Sequence, residues 1–174
     1  MDTINFIPFP MLETEHLILR QLKMEDQNEI FALRSDDRVN EFLDRIKANS
    51  PEDALLFIHN INTSINNNEA IYWAITLKNE PALAGTICLW NIFKEDLTAE
   101  IGYELHPDQQ GKGIMQEAII KVIDYGFQTM KLNLIEAELA PANLRSIKLL
   151  ERNGFVYVRE TENTIIYIRR KDIP

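Results

Sequence analysis

Between Thr98 and Leu139 the hydrophobic pattern changes period twice. Thr98–Leu105 alternates in the manner of a half-buried strand. From Gly113 to about Met130 the apolar residues Met115, Ala118, Ile119, Val122, Ile123, Gly126, Phe127 and Met130 keep helical spacing. Leu132–Leu139 is again apolar and short, the pattern of a buried strand. A strand, a helix and a strand in this order form a parallel pair joined by a crossover across one sheet face. That unit limits the rest of the chain to what can be added at its edges.

The additions are also legible. Leu17–Leu22 alternates as a strand. Asp26 and Glu29 have capping-box spacing for a helix through about Arg34. Ser50-Pro51-Glu52-Asp53 is a helix start, with a capping Ser, Pro in the first turn and acids behind it; Leu55, Ile58, Ile61 and Ile65 then share one face. Ile71–Leu77 and Leu83–Ile92 read as strands turning at Lys78-Asn79-Glu80-Pro81. Asn143 precedes a helix over Leu144–Arg152 that Asn153-Gly154 ends, and Phe155–Arg159 and Thr164–Arg169 are the last strands. The expected class is α/β (α+β), one domain over residues 1–174, with a mixed, mostly antiparallel sheet and helices on both faces.

Composition narrows the function. A net charge of −9 argues against nucleic acid, which needs a basic face, and fits either simple solubility or a cationic partner. No apolar run approaches membrane-span length, and the first residues, Met-Asp-Thr-Ile-Asn, lack the charge and cleavage pattern of a signal peptide. The single Cys88 sits in an apolar run, is read as core, and suits a reducing cytoplasm. His16, His59 and His106 are far apart and no metal motif occurs, so no metal is expected.

The chemistry concentrates where the alternating segment gives way to the long helix, at Gln110-Gly111-Lys112-Gly113. Strand, glycine loop and helix start together gather unpaired N–H groups at the positive end of a helix dipole, where phosphate binds. The loop is not a Walker A sequence, because Ile114 stands where Ser or Thr is needed, and it lacks the third glycine of a dinucleotide fingerprint.

Several segments at this spacing resemble the GNAT N-acetyltransferases, in the branch similar to the RimJ/RimL enzymes. Leu12–Arg20 resembles the opening strand, Trp73-Ala74-Ile75 and Ala84-Gly85-Thr86-Ile87 the central hairpin, and Ala99–Leu105 the fourth strand. Gln110-Gly111-Lys112-Gly113-Ile114-Met115 resembles the acetyl-CoA diphosphate loop, and Asn143-Leu144-Arg145-Ser146 with Asn153-Gly154-Phe155 the second cofactor element. Three positions depart from the pattern: Met115 replaces the usual Gly or Ala, Leu150 the usual Tyr, and the tail after Phe155 lacks a Glu-Gly turn.

The resemblance implies acetyl transfer from acetyl-CoA to a primary amine by direct attack in a ternary complex. It implies main-chain donors at Gln110, Gly111, Lys112, Gly113, Ile114 and Met115 for the diphosphate, and backbone of Tyr103, Glu104 and Leu105 for the pantetheine arm. It also implies an N–H near Gly102–Glu104 for the thioester oxygen, and cofactor contacts from Asn143 and Ser146. Glu100 is the candidate base, because an ammonium must lose a proton to attack; its other reading is an ordinary strand carboxylate. With Leu150 unable to protonate the leaving thiolate, Ser146 is the candidate acid, its other reading being helix-surface hydrogen bonding. Arg145 and Lys148 are candidates for the adenosine phosphates. Arg38, Phe42, Trp73 and Trp90 are candidates for the acceptor, which the segment 35–50 should cover. The expected acceptor is a protein N-terminus, followed by a small amine or polyamine and an aminoglycoside-like antibiotic; a basic N-terminus suits the negative charge, and a homodimer is left open. The rivals are a non-catalytic acyl-CoA sensor and a nucleotide-binding regulatory domain.

Overall fold

The crossover unit is present with a parallel pair at its base, in a computed structural model that describes residues 4–172. The first three residues, part of the start read above as leaderless, and the last two lie outside the described residues. The elements are β1 (Leu12–Glu13), β2 (Leu17–Arg20), α1 (Gln27–Ser35), α2 (Asp37–Asn40), α3 (Pro51–Asn66), β3 (Ile71–Leu77), β4 (Glu80–Phe93), β5 (Thr98–Leu105), α4 (Ile114–Asp124), β6 (Leu134–Leu139), α5 (Leu144–Arg152), β7 (Val156–Glu160) and β8 (Ile165–Arg170). The strands form one sheet in the order β1-β2-β3-β4-β5-β6-β8-β7, antiparallel everywhere except β5 against β6.

That parallel pairing is short. Thr98, Ala99 and Glu100 pair with Leu134, Ile135 and Glu136, and there the ladder stops. Beyond Glu100, β6 continues against β8, whereas Ile101–Leu105 keeps β4 on one side and no strand on the other. The sheet therefore forks, and it leaves a row of unpaired backbone groups on β5.

Side-chain alternation sorts the two faces. Ala99, Ile101 and Leu105 of β5 join Trp73, Ile75, Ile87 and Leu89 in a core under α4, whose Ala118, Ile119, Val122 and Ile123 are all buried. Each such Ile or Leu contributes about 1.5–3 kcal/mol relative to exposure, so this stripe fixes the direction of α4. Its N-terminus is thereby held at the mouth of the fork. On the opposite face a smaller core joins Ile30 and Leu33 of α1 to Ala54 and Ile58 of α3 over Ala74 and Leu83.

Ser50 starts α3 as its sequence suggested: its Oγ accepts the Asp53 N–H at 3.3 Å, and Asp53 Oδ2 accepts the Ser50 N–H at 3.2 Å. The Asp26–Glu29 capping box does not form. Asp26 instead accepts two bonds from Arg20, at 2.7 and 2.8 Å, and the Lys23 N–H at 2.8 Å. A buried carboxylate gains more from a guanidinium fork than from one cap. The reading of β6 as wholly buried also fails: Ile135 and Ala137 are buried, but Glu136 and Glu138 alternate onto the other face.

Candidate active site

The glycine loop follows a 3-10 turn over Pro107–Gln109 and runs straight into α4. Gly111 and Gly113 have φ of +75° and +79°, and a Cβ added at either would meet nothing within 4 Å. The left-handed backbone explains why both are glycine, and the side-chain-free faces of both look onto open space that a ligand can approach. Among the described residues no protein acceptor closes on the N–H groups of Gly111 through Gln116; the first helical bond is Glu117 N–H to the Gly113 carbonyl, at 3.0 Å. These are the free donors that a diphosphate needs, so acetyl-CoA fits here. Gln110 is a correction, since its N–H is committed to the Pro107 carbonyl at 3.2 Å. Its side chain braces the loop instead, donating to the Leu105 carbonyl at 3.1 Å and accepting from Arg145. Lys112 reaches back to Gln109 Oε1 at 3.2 Å. Ile114 and Met115 point into the core, so Met115 stands where the sheet has room for its bulk.

Across the fork, Asn143 caps α5 by accepting the Ser146 N–H at 3.2 Å. Ser146 Oγ shares a 2.5 Å hydrogen bond with the Tyr103 hydroxyl. Burial pushes the Tyr103 phenol up to about 12, against the pull of Ser146. Leu150 is fully buried. A phenol is thus supplied from β5 where α5 has none. The sequence singled out only the backbone of Tyr103, because nothing in a strand pattern shows that its ring meets a helix 43 residues later.

Glu100 lies on the opposite face of β5, in one row with Trp90 and Glu136. Burial raises its carboxyl above the usual carboxylate range, Glu138 and Glu136 add to the rise, and a bond from Asn91 opposes it. Asn91 Nδ2 donates to Glu100 Oε2 at 2.9 Å. A β-bulge makes this contact: the register of β4 slips between Trp90 and Phe93, and Asn91 takes φ of +45°. The next row up is Tyr72, Cys88 and Gly102, where a Cβ on Gly102 would lie 3.1 Å from Cys88 Sγ and 3.5 Å from Trp90 Nε1. Burial lifts the Cys88 thiol to about 12, in line with a core role.

The acceptor candidates separate. Trp73 is a correction: it is fully buried on the α4 face, donates to the Pro10 carbonyl at 2.8 Å and packs edge-on to Tyr125, so no acceptor can touch it. Trp90 is 39% exposed beside Gly102, Phe42 is half-buried, and Arg38 is held by Asp36 at 2.7 Å. Arg145 bonds the loop as described, and Lys148 is an exposed side chain with no contact to it. Arg34 and Arg45, which no motif flagged, reach the α1/α3 face of the sheet from α1 and from the segment before α3, Arg34 over the Phe57 ring and Arg45 at Glu104. A cavity of about 300 Å³ lined by Ile123, Asp124, Phe127 and Arg169 lies by the C-terminal end of α4 and shares no residue with this constellation. Among the described residues no cluster of His, Cys, Asp or Glu is poised for a metal, and no helix is long and apolar enough to cross a membrane.

The sequence and the fold are both shared with proteins already known. The family model for the acetyltransferase (GNAT) domain matches residues 16–156. The chain belongs to the GNAT acetyltransferase family. This N-acetyltransferase is 35% identical over 147 residues to the uncharacterized N-acetyltransferase YoaA of Bacillus subtilis (strain 168), covering 84% of this chain and 83% of that protein. It is 32% identical over 96 residues to the ribosomal protein uS5-alanine N-acetyltransferase of Escherichia coli (strain K12), covering 55% and 50% of the two chains. Among solved structures, the ribosomal-protein-S5-alanine acetyltransferase of Vibrio fischeri superposes with a TM-score of 0.82 at 27% identity, covering 94% of this chain and 97% of that one. RimL, solved with coenzyme A, superposes with a TM-score of 0.83 at 18% identity over 92% and 98%, a likeness of fold. The chain is therefore an acetyl-CoA-dependent N-acetyltransferase with the mixed, mostly antiparallel GNAT sheet.

Proposed function

We propose that this enzyme acetylates the α-amine of a protein N-terminus, with acetyl-CoA seated in the fork. The observation that carries the cofactor placement is a coincidence of two sets of backbone groups without main-chain partners among the described residues, of which only the Leu105 carbonyl is taken, by the Gln110 side chain. The N–H groups of Gly111–Met115 and the open edge of Tyr103–Leu105 face one fork. The first set suits the diphosphate, and the second suits the amides of the pantetheine arm. When bound, acetyl-CoA supplies an activated acetyl thioester. The chain's own residues do the rest. Glu100, held by Asn91 and raised by burial, takes a proton from the acceptor ammonium so that a neutral amine attacks. A main-chain N–H near Gly102–Glu104 donates to the oxygen that gains charge. The Tyr103–Ser146 pair offers a neutral hydroxyl chain that returns a proton to the departing sulfur.

The N-terminal acceptor is supported by the names of relatives, two of which act on ribosomal-protein alanine. The test is acetyl-CoA turnover against peptides with free N-termini, polyamines and aminoglycosides. Thiol release that tracks acetylation of peptide α-amines is expected. Turnover confined to polyamines or aminoglycosides would overturn the N-terminal acceptor, and thiol release indifferent to every amine would overturn amine transfer.

A further inference from the structure

Above Glu100 and Gly102 on the face that α1 and α3 cover, the next row of the sheet is Ala74, Thr86 and Glu104. Glu104 points away from the fork, with a side chain only 10% exposed, and its Oε2 lies 2.6 Å from Arg45 Nη2. Arg45 is fixed by its Nε, which donates to Asn40 Oδ1 at 2.7 Å; its Nη2 is buried and, despite the close ion pair, forms no aligned hydrogen bond. A second guanidinium shares this space. Arg34, on the last turn of α1, lies over the Phe57 ring at 3.9 Å, and Phe57 packs edge-on to Tyr72. Among the described residues Arg34 makes no side-chain hydrogen bond and no ion pair. Burial lowers its ordinary value, the like charge of Arg45 lowers it further, and Glu104 and Tyr72 offset this only in part.

The neighbouring carboxylates are already taken. Asp36 holds Arg38, Asp37 holds Lys47, and Glu104 holds Arg45. Tyr72 and Cys88 are neutral, since both are raised by their surroundings. Two partly desolvated guanidiniums thus stand near one carboxylate, which pairs with Arg45 alone, and leaving Arg34 unpaired is costly unless an anion arrives. The acetyl-CoA phosphates do not supply it, because the diphosphate loop lies across the sheet edge at the start of α4. Along β5 the Glu104 row lies one row from Gly102, near the proposed acetyl position, and two rows from Glu100.

We infer that Arg34, backed by Arg45, recognises a carboxylate carried by the acceptor a few bonds from its reacting amine. The inference rests on the amine-acceptor reading and narrows it: the acceptor is an acidic amine, such as an N-terminus followed by Asp or Glu, or a free amino acid. A bidentate guanidinium–carboxylate contact places the amine as well as holding it, which explains why Arg rather than Lys stands on an aromatic ring.

Matched pairs test it. The peptide pair is Ser-Asp-Ala-Ala-amide and Ser-Asn-Ala-Ala-amide; the small-molecule pair is 4-aminobutanoate and 4-aminobutanamide. Wild-type kcat/KM should favour the carboxylate member of at least one pair by about tenfold or more, and which pair shows it assigns the source. Arg34→Gln should erase the discrimination through KM for the acceptor, with KM for acetyl-CoA unmoved, and Arg34→Lys should restore part of it. If no amine is turned over, calorimetric titration of the same four compounds into the coenzyme A-loaded protein still decides the point: tighter binding of a carboxylate member supports the inference although the transfer reading has failed. Equal kcat/KM within both pairs, or equal binding where there is no turnover, overturns it, whether or not Arg34→Gln folds.

Discussion

Gly113→Ala separates the two roles of the glycine loop. Gly113 has φ of +79° and caps α4 without a side chain, and its missing Cβ faces open space. Alanine there meets no clash, but its left-handed backbone costs about 1–2 kcal/mol. For a chain of this size each kcal/mol lowers Tm by about 2–4 °C, so a fall of about 2–8 °C is expected. The larger effect is on the cofactor. A methyl group there displaces the diphosphate from one or two N–H donors, each worth about 1.5–3 kcal/mol to a charged ligand, and so weakens acetyl-CoA by about tenfold for one weak donor to about ten-thousandfold for two strong ones. Calorimetric titration with acetyl-CoA and thermal melting of Gly113→Ala and the wild type read the two effects separately. A lowered Tm with wild-type affinity for acetyl-CoA would refute the placement of the diphosphate.

Three further outcomes are expected. The carboxyl of Glu100 is raised, so wild-type kcat/KM should fall as pH drops through that raised value, and Glu100→Gln should lower the rate and flatten this acid limb; an unchanged profile removes Glu100 from the chemistry. Tyr103→Phe should lower kcat by about tenfold with little change in Tm, because Ser146 keeps its cap contact but loses its phenol partner; full turnover would make the pair structural. Burial alone would raise the Asp26 pKa, but the bonds from Arg20 and Lys23 prevail and lower it; the stability it confers is therefore complete above its unfolded value, near ~3.9, and is lost as pH falls through the lower folded value. Asp26→Asn should cost about 3 kcal/mol at neutral pH and remove that acid dependence in denaturant melts.

The crossover, the hairpin, the glycine loop and the capped start of α5 were legible because each is a local pattern: a period, a cap or a turn residue. Ser50 and Gly113 needed nothing beyond their neighbours. What sequence could not show depends on contacts between distant segments. Asp26 has capping-box spacing, but Arg20 competes for its carboxylate and wins. Trp73 has the composition of a ligand-binding aromatic, yet strand parity turns it toward α4. Asn91 reaches Glu100 only because two residues of β4 oppose one of β5, and a bulge leaves no mark that distinguishes it from a turn. Arg34 and Arg45 meet Glu104 through the path of the chain between α1 and α3, which carries no periodicity at all.

In the proposed complex the main chain of Gly111–Met115 holds the acetyl-CoA diphosphate while the open edge of β5 holds its arm. Amide hydrogen exchange, measured with and without saturating coenzyme A, reads those N–H groups directly. Slowed exchange is expected at Gly111–Met115 and Tyr103–Leu105. Unchanged exchange at both segments, with protection appearing elsewhere, would contradict it.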